Sequence, residues 1–437
     1  MANIVPPLPK AAGCLDFTQL IPACGGPEWA MGARRTAWDL FCETPWPSRT
    51  DEGWRRADLA GVPFDEVLAT WSAPSEASLR PRGDAQPGES TSSVAEGPGR
   101  AGLPEDAARQ GVLLQSLQDA MLQHPDLVRH YLDVAPYDPM DRKFVSLTRA
   151  LWDEGVFLYV PRGVHVEAPL HVQATFGRGR LVCPRLLAVV EEGARVTLLD
   201  EHVSGAFPHS VVSSSLADLF VGSGAEVRYV NLNRWGDNVY SFHHIRSEVE
   251  RDAHLVTVTL CLGSRLTKAT NEAVLVGEGA RSDMLGLTFA KADQHIEYHT
   301  VQHHRVGNTE SDLLFKAAVS GKARSVYSGM IRIEKGAQRA NAYQTNQNIL
   351  LSKEAHADTI PNLEILANDV RCSHGATVAP LDPNQIFYMT TRGIPPLEAR
   401  RLIVAGFLDQ VLDRAELGLL DEYVRTRAEE AIAEGYI

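Results

Sequence analysis

Two hydrophobic rhythms divide the chain. Near the N-terminus apolar residues recur three or four positions apart, and Trp29, Ala33, Ala37, Leu40 and Phe41 mark one side of a predicted helix in EWAMGARRTAWDLFCETPWP. The same rhythm returns at 104–154, in PEDAARQGVLLQSLQDAMLQHPDLVRHYL and DRKFVSLTRALWDEG. Pro104 suits a helix start, where its missing N–H costs nothing. From residue 155 the period drops to two. In GVFLYVPRGVHVEAPLHVQATF, Val164 and Val166, then Leu170 and Val172, point one way, as on a strand. After Tyr388 the helical period resumes. GIPPLEARRLIVAGFLDQVL sets Ala399, Leu402, Ile403, Phe407 and Val411 on one side, and LGLLDEYVRTRAEEAIAEG sets Leu420, Val424, Ala428, Ala431 and Ile432.

Within the period-two region a small turn followed by an alternating strand recurs: EEGARVTLLDE at 191–201, GSGAEVRYVNL at 222–232, RDAHLVTVTL at 251–260, EGARSDMLGL at 278–287 and EKGAQRANAY at 334–343. The turns at Gly193, Gly224, Asp252 and Gly279 lie 31, 28 and 27 residues apart, and Gly336 lies 57 further, about two such periods. That recurrence predicts stacked coils, a β-helix or solenoid. A β-sandwich of hairpins is the competing reading. The stretch 72–103, SAPSEASLRPRGDAQPGESTSSVAEGPGRAGL, is too poor in large apolar residues to order itself and reads as a flexible linker. The expected layout is therefore an N-terminal helical region at 1–74, a linker at 75–103, a helical region at 104–154, a β core at 155–390 and a C-terminal helical domain at 391–437.

Charge narrows the function. The 42 Lys and Arg against 55 Asp and Glu give a net charge of −13, which argues against nucleic-acid binding. No apolar run approaches the roughly 20 residues of a membrane helix, and MANIVPPLPKAAG is no secretory signal. Six scattered cysteines without a CxxC point to reduced thiols and a cytoplasmic chain. Neither a GxxxxGK[ST] phosphate loop nor a GxSxG elbow is present.

The candidate chemistry sits in the β region. In VRCSHGAT (370–377), Cys372 and His374 are two residues apart, so on a strand thiol and imidazole face one point. Together they suit iron, zinc or an iron–sulfur cluster. A tetrahedral metal needs four ligands, and this segment supplies two; distant residues or a second chain would have to add the others. The plain alternative is a buried cysteine beside a hydrogen-bonded histidine. In ADQHIEYHTVQHHRVG, His295, Glu297, His299 and His303 share one strand face, and the three histidines would also align on a helix; a metal site or a polar edge are both open. The acids Glu192, Glu201, Asp237, Glu248, Asp283 and Glu310 are scattered, against the paired carboxylates of a β-helix polysaccharide-active enzyme, the rival of another class.

Four ordered stretches, LTRALWDEGVFLYVPRGVHVEAPLHV (147–172), SVYSGMIRIEKGAQRANAYQTNQNILLS (325–352), IPNLEILANDVRCSHGATVAPLD (360–382) and IFYMTTRGIPPLEARRLIVAGFLDQVL (386–412), resemble the SufB/SufD family of iron–sulfur cluster assembly proteins. The RCSHGAT form is most similar to SufD. The resemblance implies a mainly β fold, a right-handed parallel β-helix core flanked by N-terminal and C-terminal helical regions. It implies a non-catalytic scaffold in a SufB–SufC–SufD complex, with the ATPase SufC on the C-terminal helices and a SufB paralogue meeting this chain through the β-helix. No nucleotide would bind this chain. His374, with Cys372 beside it, would then hold iron or a transient cluster at the interface; His299 and His303 rank second. Ala399, Leu402, Ile403, Phe407 and Val411 are the expected contacts for SufC. A homodimeric or SufB-like scaffold is the nearer alternative.

Overall fold

The computed structural model describes residues 26–69, 91–94, 103–132, 137–152, 155–176 and 180–435. From Arg185–Val190 onward, successive strands alternate between two sheets. The first sheet runs, in spatial order, Thr91–Val94, Leu170–Phe176, Arg195–Ser204, Glu226–Arg234, His254–Cys261, Arg281–Ala290, Glu310–Val319, Asn341–Leu350 and Arg371–Pro380. The second runs Leu113–Ser116, Gly155–Val160, Arg185–Val190, Val211–Val221, Val239–Val249, Leu266–Leu275, His295–His304, Arg324–Ile333 and His356–Ile365, with Leu181–Val182 paired beside Val211–Val221. Every pairing is parallel except those of Thr91–Val94 and Leu113–Ser116, which close the N-terminal end antiparallel. The chain is a parallel β-solenoid of about eight coils. Parallel strands one coil apart rule out the sandwich of hairpins, whose neighbours would be antiparallel.

One turn of each coil needs a left-handed residue. It falls at Gly163, Gly193, Gly224, Asp252, Gly279, Asn308 and Arg339. These positions stack: Gly193 N donates to Ser223 O (2.9 Å), Gly224 N to Arg251 O (2.8 Å), and Gly279 N to Asn308 O (3.1 Å). Glycine, asparagine and aspartate tolerate this backbone best. Gly336 lies in a turn as expected, but the left-handed residue of that coil is Arg339, and Asn308 supplies the turn that the spacing of Gly279 and Gly336 skipped.

Helices cover part of each outer face. On the second sheet, Phe144 of helix Arg142–Leu151 stacks on Phe242 at 3.9 Å between ring centroids, with Trp54 and Phe64 alongside. Helix Glu28–Glu43 joins the same cluster, so the two N-terminal helical regions share one core. Its buried side is Ala30, Arg34, Ala37, Trp38 and Phe41, turned from the expected stripe, and Leu40 is exposed. Arg34 is drawn inward because it donates to Ala150 O and Trp152 O (3.1 and 2.8 Å) at the end of the neighbouring helix. On the first sheet, Leu408, Val411 and Leu412 of helix Pro396–Ala415, with Val424 and Ile432 of helix Asp421–Gly435, pack on Val230, Leu232, Val258 and Leu287.

Three expected boundaries shift. Thr91–Val94, inside the expected linker, is a strand that pairs with Leu170–Phe176; residues 70–90 and 95–102 lie outside the described residues. Leu113–Ser116 is a strand within the expected helical region, because the sheet edge at Gly155–Val160 offers it hydrogen bonds. The C-terminal helices begin at Pro383 rather than 391, with the Asp382 side chain capping Asn384 N.

Candidate functional site

The C-terminal end of the solenoid is open. Among the described residues, His356–Ile365 and Arg371–Pro380 each pair on one side only, with Arg324–Ile333 and Asn341–Leu350. Both therefore present a free row of backbone donors and acceptors. Leu363, Ile365, Leu366 and Val378 on this coil are 38 to 51% exposed.

Cys372 and His374 stand on this end strand. In the coil beneath, Ala342, Gln344, Asn346 and Asn348 are buried toward the solenoid interior, and register places Cys372 over Ala342 and His374 over Gln344. Paired residues in stacked parallel strands face alike, so both side chains point into the open mouth of the solenoid. Cys372 packs partly against Ile331, Ile333, Ala340 and Ala342. Burial pushes its thiol up, and a backbone hydrogen bond involving Ala342 opposes the rise. His374 is exposed because no further coil covers it. Among the described residues no three His, Cys, Asp or Glu side chains converge to hold a metal ion. The donor set at the mouth is one soft thiol and one imidazole, half of a four-ligand site.

The histidines of His295–His304 take the strand alternative. His295, His299 and His303 share the outward strand face, and His299 and His303 line a groove of about 650 Å³ between the second sheet and residues 52–56 and 137–141. On a strand four residues span about 13 Å, so these three rings do not share one ion. His295 meets Glu297 (3.4 Å) and His303 meets Glu334 (3.1 Å). His299 lies by Asp141; burial lowers its pKa, and the Asp141 charge opposes that. The expectation of a common metal site here is corrected by this spacing.

The expected SufC contacts divide. Ala399 and Val411 are fully buried and pack inside the chain, Ile403 and Phe407 are half-buried on the same core, and Leu402 is 47% exposed. The buried side of helix Pro396–Ala415 is Ala399, Val404, Leu408, Val411, Leu412 and Ala415, so the stripe read from the sequence coincides with it only at Ala399 and Val411. The exposed apolar side chains here are Leu402, which is on the expected stripe, and Phe387, Tyr388, Leu397 and Leu419, which lie outside it. Beneath these helices Glu201, fully buried, pairs with His171 (2.9 Å) and accepts from Gln173 (3.0 Å), Arg234 (3.1 Å) and Tyr423 (2.9 Å), tying helix Asp421–Gly435 to the sheet. Cys183 and Cys261 are buried and outside any disulfide, whereas Cys42 is disulfide-bonded, against the expectation of reduced thiols throughout.

Residues 172–407 match the SufBD core domain of the SUF system for FeS cluster assembly, and residues 99–172 match the SufBD protein N-terminal region. The chain belongs to the SufBD family. It is 28% identical over 405 residues to the iron–sulfur cluster assembly protein SufB of Bacillus subtilis (strain 168), covering 88% of this chain and 85% of that protein. It is 27% identical over 409 residues, with the same shares, to an iron–sulfur cluster assembly SufBD family protein of Staphylococcus epidermidis (strain ATCC 12228). The family membership and the mainly β solenoid with flanking helices agree with the resemblance read from the motifs. No helix of the described residues is long and apolar enough to cross a membrane.

Proposed function

We propose that this chain is the SufD-type scaffold subunit of a SufB–SufC–SufD complex, and that it contributes His374 and Cys372 to a site for iron or a transient iron–sulfur cluster completed by a SufB-type chain. The observation that carries the reading is the two metal-ligating side chains facing the open mouth of a solenoid whose last coil has unpaired edges and exposed Leu363, Ile365 and Val378. A paired chain would cover those edges and bring the missing ligands. A site split between two chains holds its cargo less tightly than an enclosed four-cysteine site, as a donor scaffold requires. Easy transfer to an apo-ferredoxin is expected, and a cluster that resists chelators would count against this step.

The chain itself performs no catalysis and binds no nucleotide in this reading. SufC hydrolyses ATP while docked on the outward surface of Phe387, Tyr388, Leu397 and Leu402. Its cycle shifts the helices and alters access to the mouth, so Cys372 accessibility should change with nucleotide; constant accessibility would argue against it. The complex is placed in the cytoplasm.

The test is co-expression with SufB and SufC, native against His374→Ala, followed by anaerobic reconstitution and measurement of iron, sulfide and visible absorption. The variant should assemble and lose cluster. Assembly with native cluster content would make His374 structural and overturn the reading. A stable homodimer that builds clusters without SufB would favour the homodimeric scaffold.

A further inference from the structure

Directly under His374 sits a side chain whose polar atoms are unused among the described residues. Gln344 is 1% exposed, and among the described residues neither its amide nitrogen nor its amide oxygen has a hydrogen-bond partner. Its neighbours on the same inner face or across the interior each use at least one polar atom: Asn346 donates to Phe315 O (3.1 Å), Asn348 to Asn346 Oδ1 (2.7 Å) and Gln302 to Ser311 Oγ (2.8 Å). The seat of the Gln344 amide is also cleared for it. Across the interior Gly329 lies against the amide, and a Cβ at Gly329 would collide with it and with the Tyr327 hydroxyl. That hydroxyl is already paired with Thr300 (2.8 Å). Burying an unpartnered amide is costly, and an apolar side chain of similar size would avoid the cost. The exception calls for a partner that arrives from outside the described contacts.

We propose that Gln344 is a positioning residue for His374: its amide oxygen accepts the N–H of the His374 imidazole and holds the ring so that the other nitrogen faces the metal ion. This rests on the reading of His374 as a ligand given above. Parallel register sets Gln344 and His374 side by side on one face, about 4.8 Å apart in the hydrogen-bonding direction. Of the inward residues on the end strand, Cys372, His374, Ala376 and Val378, only His374 carries a ring N–H. A ligating histidine almost always gives its second N–H to an outer oxygen, which fixes the tautomer. A neutral amide does this without adding charge at the mouth.

Three variants test the inference in the co-expressed complex: Gln344→Leu, Gln344→Glu and His374→Ala. Gln344→Leu should assemble and melt no lower than native, because it removes an unpartnered amide, yet bind Fe(II) about 10- to 100-fold more weakly. Gln344→Glu, which offers an oxygen to the same N–H, should restore most of the affinity. In the single chain labelled with 15N-histidine, the His374 signal, assigned by its loss in His374→Ala, should show one neutral tautomer that becomes a mixture in Gln344→Leu. A lower melting temperature with unchanged Fe(II) affinity and tautomer would make Gln344 a plain core residue and overturn the inference. If His374→Ala weakens Fe(II) binding but Gln344→Leu does not, the inference falls alone. If His374→Ala also binds as native does, the ligand reading falls with it.

Discussion

Replacing Glu201 with glutamine measures how the buried carboxylate under the C-terminal helices supports the fold. Burial by itself raises the pKa of this group. The bonds and charge from His171, and the donors Arg234 and Tyr423, outweigh burial and hold the carboxyl at about 2 against an ordinary 4.5. At about 1.36 kcal/mol per pKa unit, that depression stabilises the folded chain by about 3.4 kcal/mol at neutral pH. The folded pKa is the lower one, so the contribution is complete above pH 4.5 and drains away as pH falls toward 2. The same relation leaves about 2 kcal/mol at about pH 3.5. Glutamine keeps the shape and loses the charge. Urea unfolding of native and Glu201→Gln chains should show a gap of about 3 kcal/mol at neutral pH that narrows by about 1.4 kcal/mol on acidification to about pH 3.5. Titrations common to both chains cancel in the difference. Equal stability at neutral pH would refute the reasoning. So would a gap that stays constant on acidification, since it would then come from geometry rather than charge.

Other features yield shorter tests. A Cβ at Gly222 would lie 2.8 to 2.9 Å from the backbone of Val190, Glu191 and Glu192 in the preceding coil. Gly222→Ala should therefore destabilise the chain by about 2 kcal/mol in thermal unfolding. The raised thiol pKa of Cys372 predicts slower alkylation by iodoacetamide at neutral pH than a free cysteine shows. Cys183 and Cys261, both 0% exposed, should react only on unfolding, and peptide mass spectrometry separates the three. Leu363→Asp with Val378→Asp should leave the circular dichroism spectrum unchanged and abolish pairing with the second chain in sedimentation.

The repeat was legible because it is written in turn chemistry. Gly193, Gly224, Asp252 and Gly279 must all adopt positive φ, and few residue types do so easily. Asn308 and Arg339 were hidden because neither is glycine, and the nearby Gly336 drew the eye instead. Which strand face looks inward was harder to read. In Val211–Val221 all residues but one are buried, since one face packs in the solenoid and the other against helices, and a period of two marks no contrast there. The pairing of Cys372 with His374 survived because direction along a strand is fixed by spacing alone. The helix stripe read through Ala399, Leu402, Ile403, Phe407 and Val411 met the buried side only at Ala399 and Val411, since Val404, Leu408, Leu412 and Ala415 carry the rest of it and Leu402 faces out. Gln344 left no trace, because what marks it is the contacts its buried amide lacks, which a sequence does not show.

The place of the proposed site couples metal binding to assembly. Helices cover part of each outer face of the solenoid, and antiparallel strands close its N-terminal end, so among the described residues the C-terminal mouth is the end left open for another chain. His374 and Cys372 stand there, and among the described residues no third His, Cys, Asp or Glu joins them to hold a metal ion. If iron binds only the paired state, it stabilises pairing by mass action, by about 2.7 kcal/mol at a hundredfold excess over its Kd. Reciprocity makes pairing tighten iron by the same factor that iron tightens pairing. Association of the two chains should therefore strengthen about 100-fold under those conditions. His374→Ala should remove that response while leaving association in iron-free buffer unchanged, because an exposed imidazole contributes little to edge pairing. A variant that weakens pairing equally with and without iron would show that His374 acts as an interface contact and that the metal is bound elsewhere.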